Sequence, residues 1–388
     1  MVNSNADAMG IIFPNSYDTL VPELVSDRLM ASIPFASRYR MSDFVISSMV
    51  NCGIDNISLI VRKNYHSLMD HLGSGREWDL TRKNGGLNIV PPFAQKTIKL
   101  YNGRVEALES IKQFIRSQRE RYVILSDANL AVNFDFKALL DAHVESGADI
   151  TLVYNRQEIP QAFKNPNVDI RDMYFTLDVN GEGRVREIHM NSVQPGVQNL
   201  GMNIFVLERE LLVNLIDEAY LKGQSYFERD VLAPKTGQLH MQGYCYDGYV
   251  ARINDMQSYF KENMKLLDED NLDALFSGNQ IYTKIRDDNP TRYINGCKVK
   301  NVMAADGCEI SGEVENCVLF RGVKIGKGAK VKNCVLMQDT VIEDGAEVEY
   351  LITDKNVTIR SSKHLQGNDT FQVYVAKRQI VSVSYTHL

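Results

Sequence analysis

The C-terminal third of the chain carries a six-residue period that strongly limits how it can fold. From about residue 301, apolar side chains recur at this step: Cys317, Val323, Ala329, Val335 and Val341 form one series, and Ile325, Val331 and Met337 form a second. Small or branched side chains at this period are typical of a parallel β-helix, in which each short strand forms one side of a triangular coil. Ile325–Val331 recurs as Ile342–Val348, an offset of 17 residues, so one coil corner is shortened by a residue.

The region before the repeats alternates between strand and helix patterns. Strands are predicted at Met9–Phe13, Ile54–Val61 and Tyr122–Leu125, a hairpin around Asn180–Gly181, and helices from near Ser42, at Val105–Gln118, at Phe136–Val144 and at Asp255–Phe276. Such alternation is typical of a Rossmann-like α/β fold built on a doubly wound sheet. We predict an α/β domain over residues 1–286, a linker over 287–300 and a β-helix over 301–381. Residues 382–388 resemble a translated sequencing adapter and are predicted to be an artefactual tail.

Composition excludes several classes of protein. A net charge of −6 argues against a surface that follows nucleic-acid phosphates. No apolar run approaches the roughly 20 residues that a membrane span requires. The six cysteines include no Cys-x-x-Cys pair, which argues against a zinc site and favours free thiols in a reducing cytoplasm.

The turn after the first strand has the setting of a phosphate-binding loop. Phe35–Phe44, further along the chain, resembles the segment that follows this loop in ADP-glucose pyrophosphorylases. In those enzymes the loop reads Gly-Gly-x-Gly-x-Arg-Leu, and glycine lets backbone N–H groups approach a triphosphate. The glycine positions correspond here to Asn15, Ser16 and Asp18, and the arginine position corresponds to Leu20.

Apart from its tail, the whole chain resembles the ADP-glucose pyrophosphorylase family, and most of all its GlgD-type branch. The resemblance implies a mixed-sheet nucleotidyltransferase domain followed by a left-handed parallel β-helix. It also implies a role in making ADP-glucose and pyrophosphate from ATP and glucose 1-phosphate. The family's catalytic members use Mg²⁺, which offsets charge on the transferring phosphate.

Several further positions depart from the family's motifs. The resemblance places Met30 at a phosphate-facing lysine, Ala128 at a metal-binding aspartate, Met173 at a pocket glycine, Asn191 at a sugar-phosphate lysine and Arg252 at a second metal-binding aspartate. Asp127 lies one residue before the first of these aspartate positions, and strand alternation predicts that its side chain faces the other side of the sheet. A one-residue slip would bring it to that position, since the segment that follows carries one extra residue here. These losses together predict an inactive site with no metal ligands and no cofactor of its own.

Arg38 and Arg40 are retained cations that follow the loop region. They are candidate ligands for an anionic effector, although such arginines more often pair with acids such as Asp43. His66 and His71 are five residues apart, a spacing that does not share one helix face, so solvated histidines are expected there rather than a metal site.

Three functions remain open at this stage. We favour a regulatory subunit that assembles in the cytoplasm with a catalytic ADP-glucose pyrophosphorylase paralogue, for instance as a heterotetramer, with Mg²⁺ bound by the partner. The alternative is an active sugar-phosphate nucleotidyltransferase with a divergent site. A β-helix acyltransferase, which would have to use His364, is the third and least favoured.

Overall fold

The structure is a computed structural model that describes residues 6–92, 101–164, 174–383 and 385–386. Two compact units divide the chain, and neither is continuous in sequence. The first unit comprises Met1–Ser32, Ser42–Val250 and Asn279–Tyr282, and the second comprises Ile33–Met41, Ala251–Gly278 and Thr283–Leu388. The predicted boundaries after residues 286 and 300 remain predictions.

Thirteen described strands precede the β-helix. In chain order they are β1 (Ala8–Phe13), β2 (Pro34–Phe35), β3 (Tyr39–Arg40), β4 (Asn56–Ile60), β5 (Gly86–Val90), β6 (Tyr122–Asp127), β7 (Leu130–Ala131), β8 (Ile150–Glu158), β9 (Phe175–Val179), β10 (Val185–Met190), β11 (Val197–Glu208), β12 (Met241–Cys245) and β13 (Ala251–Arg252). The α-helices are α1 (Met41–Asn51), α2 (His66–Leu72), α3 (Arg104–Ser110), α4 (Lys112–Ser117), α5 (Phe136–Ser146), α6 (Arg209–Leu221), α7 (Met256–Lys265) and α8 (Glu269–Phe276).

The first unit is built on a mixed sheet. Its main strand order is β10-β9-β11-β6-β1-β4-β5, and β8 pairs with β11 and β12. β1 is parallel to both β4 and β6, and every residue of β1 is buried, as expected for a central strand covered on both faces. Gly10 keeps one of these faces close to α1, because a Cβ there would lie 2.6 Å from the Met49 sulfur.

The strand and helix predictions for this region hold in outline. The hairpin around Asn180 forms between β9 and β10. Two predicted helices each divide in two: α3 and α4 separate at Ile111, and α7 and α8 separate at residues 266–268. Asp268 accepts a hydrogen bond from the Asn271 N–H and so begins α8 separately.

The second unit contains a parallel β-helix. Its strands are β14 (Arg292–Tyr293), β15 (Lys298–Ala304), β16 (Glu309–Ile310), β17 (Glu313–Leu319), β18 (Lys324–Ile325), β19 (Lys330–Leu336), β20 (Val341–Ile342), β21 (Glu347–Glu349), β22 (Leu351–Thr353), β23 (Thr358–Ile359), β24 (His364–Gln366), β25 (Val373–Val375), β26 (Ile380–Val381) and β27 (Tyr385–Thr386). They stack as two all-parallel sheets, one beginning at β14 and the other at β15.

The strict six-residue period is wrong after Val331. Cys317 pairs with Cys334, and Cys334 rather than Val335 belongs to the β-helix core, together with Leu336 and Ile342. The cause is an asparagine in the left-handed backbone region within the strand, Asn316 in one coil and Asn333 in the next. The Asn316 amide donates to the Asn333 side-chain oxygen at 3.3 Å, so the shortened corner repeats from coil to coil. The 17-residue step is therefore confirmed.

The segment 33–41 belongs to the second unit because α7 holds it. The Asn263 side-chain oxygen accepts from the Ala36 N–H at 3.1 Å, and the Tyr259 hydroxyl donates to the Pro34 carbonyl at 2.8 Å. Ala36 and Ser37 both have positive φ, so the chain turns sharply between β2 and β3 and presents Arg38 at the turn.

All six cysteines are free thiols, and Cys308, Cys317 and Cys334 are fully buried. Within the described residues, no helix is both long enough and apolar enough to cross a membrane.

Candidate functional site

The turn after β1 is closed by its own side chains. Asp18 is 5% exposed and begins one turn of 3-10 helix. Its Oδ1 accepts from the Met30 backbone N–H at 2.7 Å, and its Oδ2 accepts from the Asn15 amide at 2.7 Å. The carboxylate is thus an internal brace of the turn.

Two further contacts hold this turn against distant segments of the same unit. The Asn15 side-chain oxygen accepts from the Arg62 N–H at 2.7 Å, just beyond β4. Tyr17 is buried with φ of 65°, an unusual conformation for a bulky residue, and its hydroxyl accepts from the Asn203 amide at 2.6 Å. A loop pinned at these points cannot open its backbone N–H groups toward a triphosphate without breaking buried contacts.

Asp127 meets the turn at the end of β6, where Phe13 of β1 lies beside it in the parallel register. The Ser16 hydroxyl donates to Asp127 Oδ1 at 2.7 Å. Arg104, at the first position of α3, donates from Nη2 to Asp127 Oδ2 at 2.5 Å and from Nη1 to Glu228 Oε1 at 2.5 Å. One guanidinium therefore bridges two carboxylates. We call Arg104, Asp127 and Glu228 the ion triad.

Burial controls the electrostatics of the ion triad. It raises the pKa of Asp127 to about 6, although the Arg104 charge and the Ser16 hydrogen bond act in the opposite direction. Burial alone would lower the pKa of Arg104, but the charges of Asp127 and Glu228 outweigh it and raise that pKa. The guanidinium is therefore permanently charged, and it also lies 5.0 Å from the centre of the Phe13 ring.

The ion triad does not fit a bound divalent cation. Both oxygens of Asp127 already accept hydrogen bonds, and Glu228 accepts one from the same arginine. A metal ion would have to displace the guanidinium, whose charge would repel it. Among the residues that the structure describes, no group of three or more His, Cys, Asp or Glu side chains could hold a metal ion.

A pocket lies beside the turn and the ion triad. It encloses about 670 Å³ of empty space, including its open mouth, and its lining contains Asn15, Ser16, Arg62, Lys63 and Arg104. The pocket lining therefore combines cations with hydrogen-bonding groups, and the braced turn, including Asp18, forms part of it.

The other substituted positions are structural where the structure describes them. The Met30 side chain is fully buried, and Leu20 is half-buried. Ala128 is buried in a hydrophobic core cluster that does not include Leu125, whereas the neighbouring Asp127 carboxylate faces the turn and accepts from the Ser16 hydroxyl at 2.7 Å. Asn191 follows β10 and extends its pairing with β9, because its side-chain oxygen accepts from the Tyr174 N–H at 3.2 Å. Met173 lies outside the described residues.

Arg252 lies in the second unit, at the end of β13, and is 6% exposed. Arg38 pairs with Asp306 at 3.0 Å, and both side chains are about two-fifths exposed. Arg40 lies opposite Pro34 in the hairpin of β2 and β3. Asp43, the acid expected to pair with these arginines, lies with its Oδ1 2.6 Å from His71 Nε2. His71 is therefore buried, and the prediction of a solvated histidine is wrong there because α2 turns this residue inward; His66 is exposed as expected.

Arg321 is a buried cation that sequence reasoning missed. It is 8% exposed and donates from Nη2 to the Lys284 carbonyl at 3.1 Å, whereas its Nε has no hydrogen-bond partner within the described part of the chain. Burial lowers its pKa, and the nearby charges of Arg38 and Arg286 lower it further. Asp288 and Asp306 oppose this effect without cancelling it. Positive charge is thus crowded in this part of the second unit.

Sequence reasoning also missed Arg104 and Glu228. The one local signal was Gly103, since a Cβ at this residue would lie 2.1 Å from the Ser225 carbonyl oxygen. This close approach joins the start of α3 to the segment before Glu228. His364, the candidate catalytic residue of an acyltransferase, lies at the start of β24 in the β-helix, and its Nδ1 is 3.6 Å from the Glu347 carboxylate.

Comparison with known proteins agrees with this architecture. The profile of the family described as Nucleotidyl transferase matches residues 23–268, and that of the GlmU-like, C-terminal hexapeptide family matches residues 286–381. The glycogen biosynthesis protein GlgD of Bacillus subtilis (strain 168) is 34% identical over 365 residues, which cover 94% of each chain. GlgD of Geobacillus stearothermophilus is 36% identical over 333 residues, covering 84% of this chain and 83% of the relative.

The chain belongs to the nucleotidyl transferase family, in the group of the GlgD proteins. Catalytic names also occur among its relatives. The glucose-1-phosphate adenylyltransferase of Geobacillus stearothermophilus is 29% identical over 303 residues, covering 77% of this chain and 76% of that enzyme. The family resemblance drawn from the sequence is therefore confirmed.

Proposed function

We propose that this chain is a regulatory subunit of glucose-1-phosphate adenylyltransferase in cytoplasmic glycogen biosynthesis and has no catalytic activity of its own. The names of its GlgD relatives support the pathway. The observation that carries the proposal is the ion triad, in which Arg104 bridges Asp127 and Glu228 at the end of the braced turn.

This arrangement opposes nucleotidyl transfer for a physical reason. Phosphoryl groups transfer when a metal ion and backbone N–H groups offset the charge that develops on them. Here a carboxylate, Asp18, is fixed inside the turn, and Arg104 occupies both carboxylates of the ion triad. In this proposal the chain binds no cofactor, and Mg²⁺ belongs to the catalytic partner.

An inactive subunit can still act on a partner through their shared assembly. If it favours one conformation of the partner, it changes the partner's substrate or effector affinity by the corresponding coupling free energy, typically 1–3 kcal/mol. We propose a hetero-oligomer with a catalytic ADP-glucose pyrophosphorylase paralogue for this role.

The direct test measures pyrophosphate release from ATP and glucose 1-phosphate with Mg²⁺, by this chain alone, by the paralogue alone and by the two together. The chain alone should show no turnover above background, and the mixture should differ several-fold from the paralogue in KM or kcat. Robust turnover by the chain alone would refute the inactive assignment. Unchanged kinetics at saturating subunit, with a complex seen by sedimentation, would refute the regulatory role.

The retained arginines support an anionic effector as the signal. Arg321 offers a buried, unpartnered Nε beside Arg38 and Arg286, and Arg40 lies two residues from Arg38. An anion bound there would relieve the repulsion among these cations. Replacing Arg321 with Met should reduce the complex's response to phosphate and sugar phosphates at least tenfold, whereas Arg360→Met, at an exposed arginine of the same unit, should leave it unchanged. Equal responses of both variants would exclude this site.

The alternative is an active nucleotidyltransferase with a divergent site. It is favoured only by the position of Asp127, whose carboxylate reaches the turn through Ser16. Turnover by the purified chain that disappears in Asp127→Asn would establish this alternative.

A further inference from the structure

The first long strand of the β-helix is an edge strand. β15 ends the sheet that runs β15-β17-β19-β21-β24-β27, and its only strand pairing among the described residues is with β17. On its other side, β15 therefore presents backbone N–H and C=O groups with no neighbouring strand. Such an edge can accept a further strand, and charged side chains restrict which strands can pair there.

Charges alternate from coil to coil along this sheet. Two lysines, two residues apart, lie on β15 and again on β19, and two glutamates take the paired positions on β17 and β21. The two rows are Lys298, Glu313, Lys330 and Glu347, and Lys300, Glu315, Lys332 and Glu349. Glu315 lies 2.9 Å from Lys300 on one side and 3.8 Å from Lys332 on the other, and both lysines lower the pKa of its carboxyl. A strand inside the sheet thus has opposite charges on both sides.

β15 has opposite charges on one side only. The side chains of Lys298 and Lys300 are 75% and 79% exposed, and each pairs with one glutamate of β17. Val299, between them, is 37% exposed, whereas Val314 and Val331, at the same position of the next two coils, are each 2% exposed. The row of apolar side chains that fills the coil is therefore partly uncovered at this end.

A row of asparagine side chains ends at the same strand. The Asn301 amide donates to the Asn316 side-chain oxygen at 3.0 Å, and the Asn316 amide donates in turn to Asn333 at 3.3 Å. Both donors point toward the later coils, so the Asn301 side-chain oxygen has no donor among the described residues. A strand that continued this pattern would supply an amide donor next to Asn301.

We propose that β15 is a docking edge for an extended strand of a partner protein. That strand carries acidic side chains at two alternate positions, an apolar residue between them and an asparagine directly after them. Its acids pair with Lys298 and Lys300, its apolar residue covers Val299, and its amide donates to Asn301. This inference does not require the proposed regulatory function.

A second copy of this chain does not fit the same edge through its own β15. Two β15 strands in the antiparallel register that brings their Val299 side chains together would place Lys298 of each copy opposite Lys300 of the other. Like charges directly opposite each other destabilise a strand pair. The lysines therefore select an acidic strand over a copy of themselves.

The chain itself supplies a matched pair of probes. Residues 313–319 read Glu-Val-Glu-Asn-Cys-Val-Leu and residues 330–336 read Lys-Val-Lys-Asn-Cys-Val-Leu, so the two segments differ only at their first and third positions. Synthetic peptides of these sequences, end-capped, fluorescently labelled and kept reduced, are titrated with the full-length chain. The acidic peptide should bind at least about tenfold more tightly than the basic one, because two attractive charge pairs replace two repulsive ones.

Hydrogen–deuterium exchange locates the bound peptide. Saturating acidic peptide should slow amide exchange in residues 298–304, because a paired strand protects the edge N–H groups, and should leave β18 in the other sheet unchanged. If protection of 298–304 instead rises with the concentration of the chain alone, a second copy occupies the edge and the proposal is wrong.

Charge reversal tests the recognition. Lys298→Glu combined with Lys300→Glu should reverse the preference, so that the basic peptide binds more tightly. The control, Lys324→Glu with Lys327→Glu, makes the same change of charge at exposed lysines elsewhere on the β-helix and should keep the wild-type preference. A reversal in this control as well would overturn the proposal.

The outcome does not depend on the reversed variant being well folded. Lys298→Gln with Lys300→Gln adds no repulsion to the first coil and should bind the two peptides equally. The comparison on the wild-type chain needs no variant at all. Equal binding of both peptides by the wild-type chain, or no binding of the acidic peptide at about 2 mM, would overturn the proposal.

Discussion

Restoring a glycine to the turn after β1 should damage this chain, although the same residue serves the family's enzymes. Asp18 lies where they have the third glycine of the loop, and here its carboxylate accepts two hydrogen bonds at 2.7 Å. We predict that Asp18→Gly destabilises the first unit by about 2–4 kcal/mol without creating activity.

The magnitude follows from these two contacts. Hydrogen bonds to a charged group each contribute about 1.5–3 kcal/mol, and glycine adds about 0.5–1 kcal/mol of backbone entropy. Relief of the cost of burying the Asp18 charge offsets part of this sum. Asp18→Asn keeps an oxygen that accepts from the Met30 N–H, but its own NH₂ group then faces the NH₂ group of Asn15. We therefore expect this variant to lose about 1–2 kcal/mol of stability.

Urea denaturation followed by circular dichroism measures these differences. The matched control is Asp79→Gly, because Asp79 has an exposed side chain and a φ of 53° that glycine adopts freely. This control should stay within about 0.5 kcal/mol of the wild-type chain. If Asp18→Gly also stays within that limit, or if it gains nucleotidyl transfer, the carboxylate is not a structural brace and the reasoning is wrong.

Three further predictions concern the ion triad and the β-helix. Because burial raises the pKa of Asp127 from 3.8 to about 6, the folded state holds this proton more tightly than the unfolded state does. The wild-type chain should therefore lose up to about 3 kcal/mol of stability between pH 4 and pH 7 that Asp127→Asn does not lose, and parallel pH profiles in urea would contradict this. Gly326→Ala should cost about 1–3 kcal/mol, since its Cβ would lie 2.6 Å from backbone nitrogen of the next coil, whereas Gly181→Ala meets no atom within 4 Å and should be near neutral. Burial raises the pKa of the Cys317 thiol, and Cys317 and Cys334 are both inside the coil, so a thiol reagent should reach them only after unfolding.

The β-helix shows where sequence periodicity is sufficient. The 17-residue step was visible from repeated segments, and the strands pair at that step. The failure after Val331 came from Asn333, whose left-handed backbone moves the inward positions by one residue. A count of apolar residues does not contain this conformation, although asparagine at such a place is a known signal for it.

For the candidate site, by contrast, the sequence alone was not sufficient. The loss of the loop glycines was readable from three positions within four residues, Asn15, Ser16 and Asp18, but the contacts that replace the lost site were not. Arg104 is separated by 23 residues from Asp127 and by 124 residues from Glu228, and no local pattern links them. Nor did the sequence distinguish an Asp127 that faces away from the site from one that meets Ser16.

The amino-acid sequence by itself determined the α/β domain, the repeat domain and the absence of a glycine-rich phosphate loop, because each depends on neighbouring residues or a short period. Only the tertiary structure decided which contacts are formed at the site where the family's enzymes have that loop. Asp18 stabilises the turn, and Arg104 compensates the charges of two carboxylates, through contacts between segments that are distant in sequence. Burial strengthens these contacts because it removes the water that would otherwise screen them.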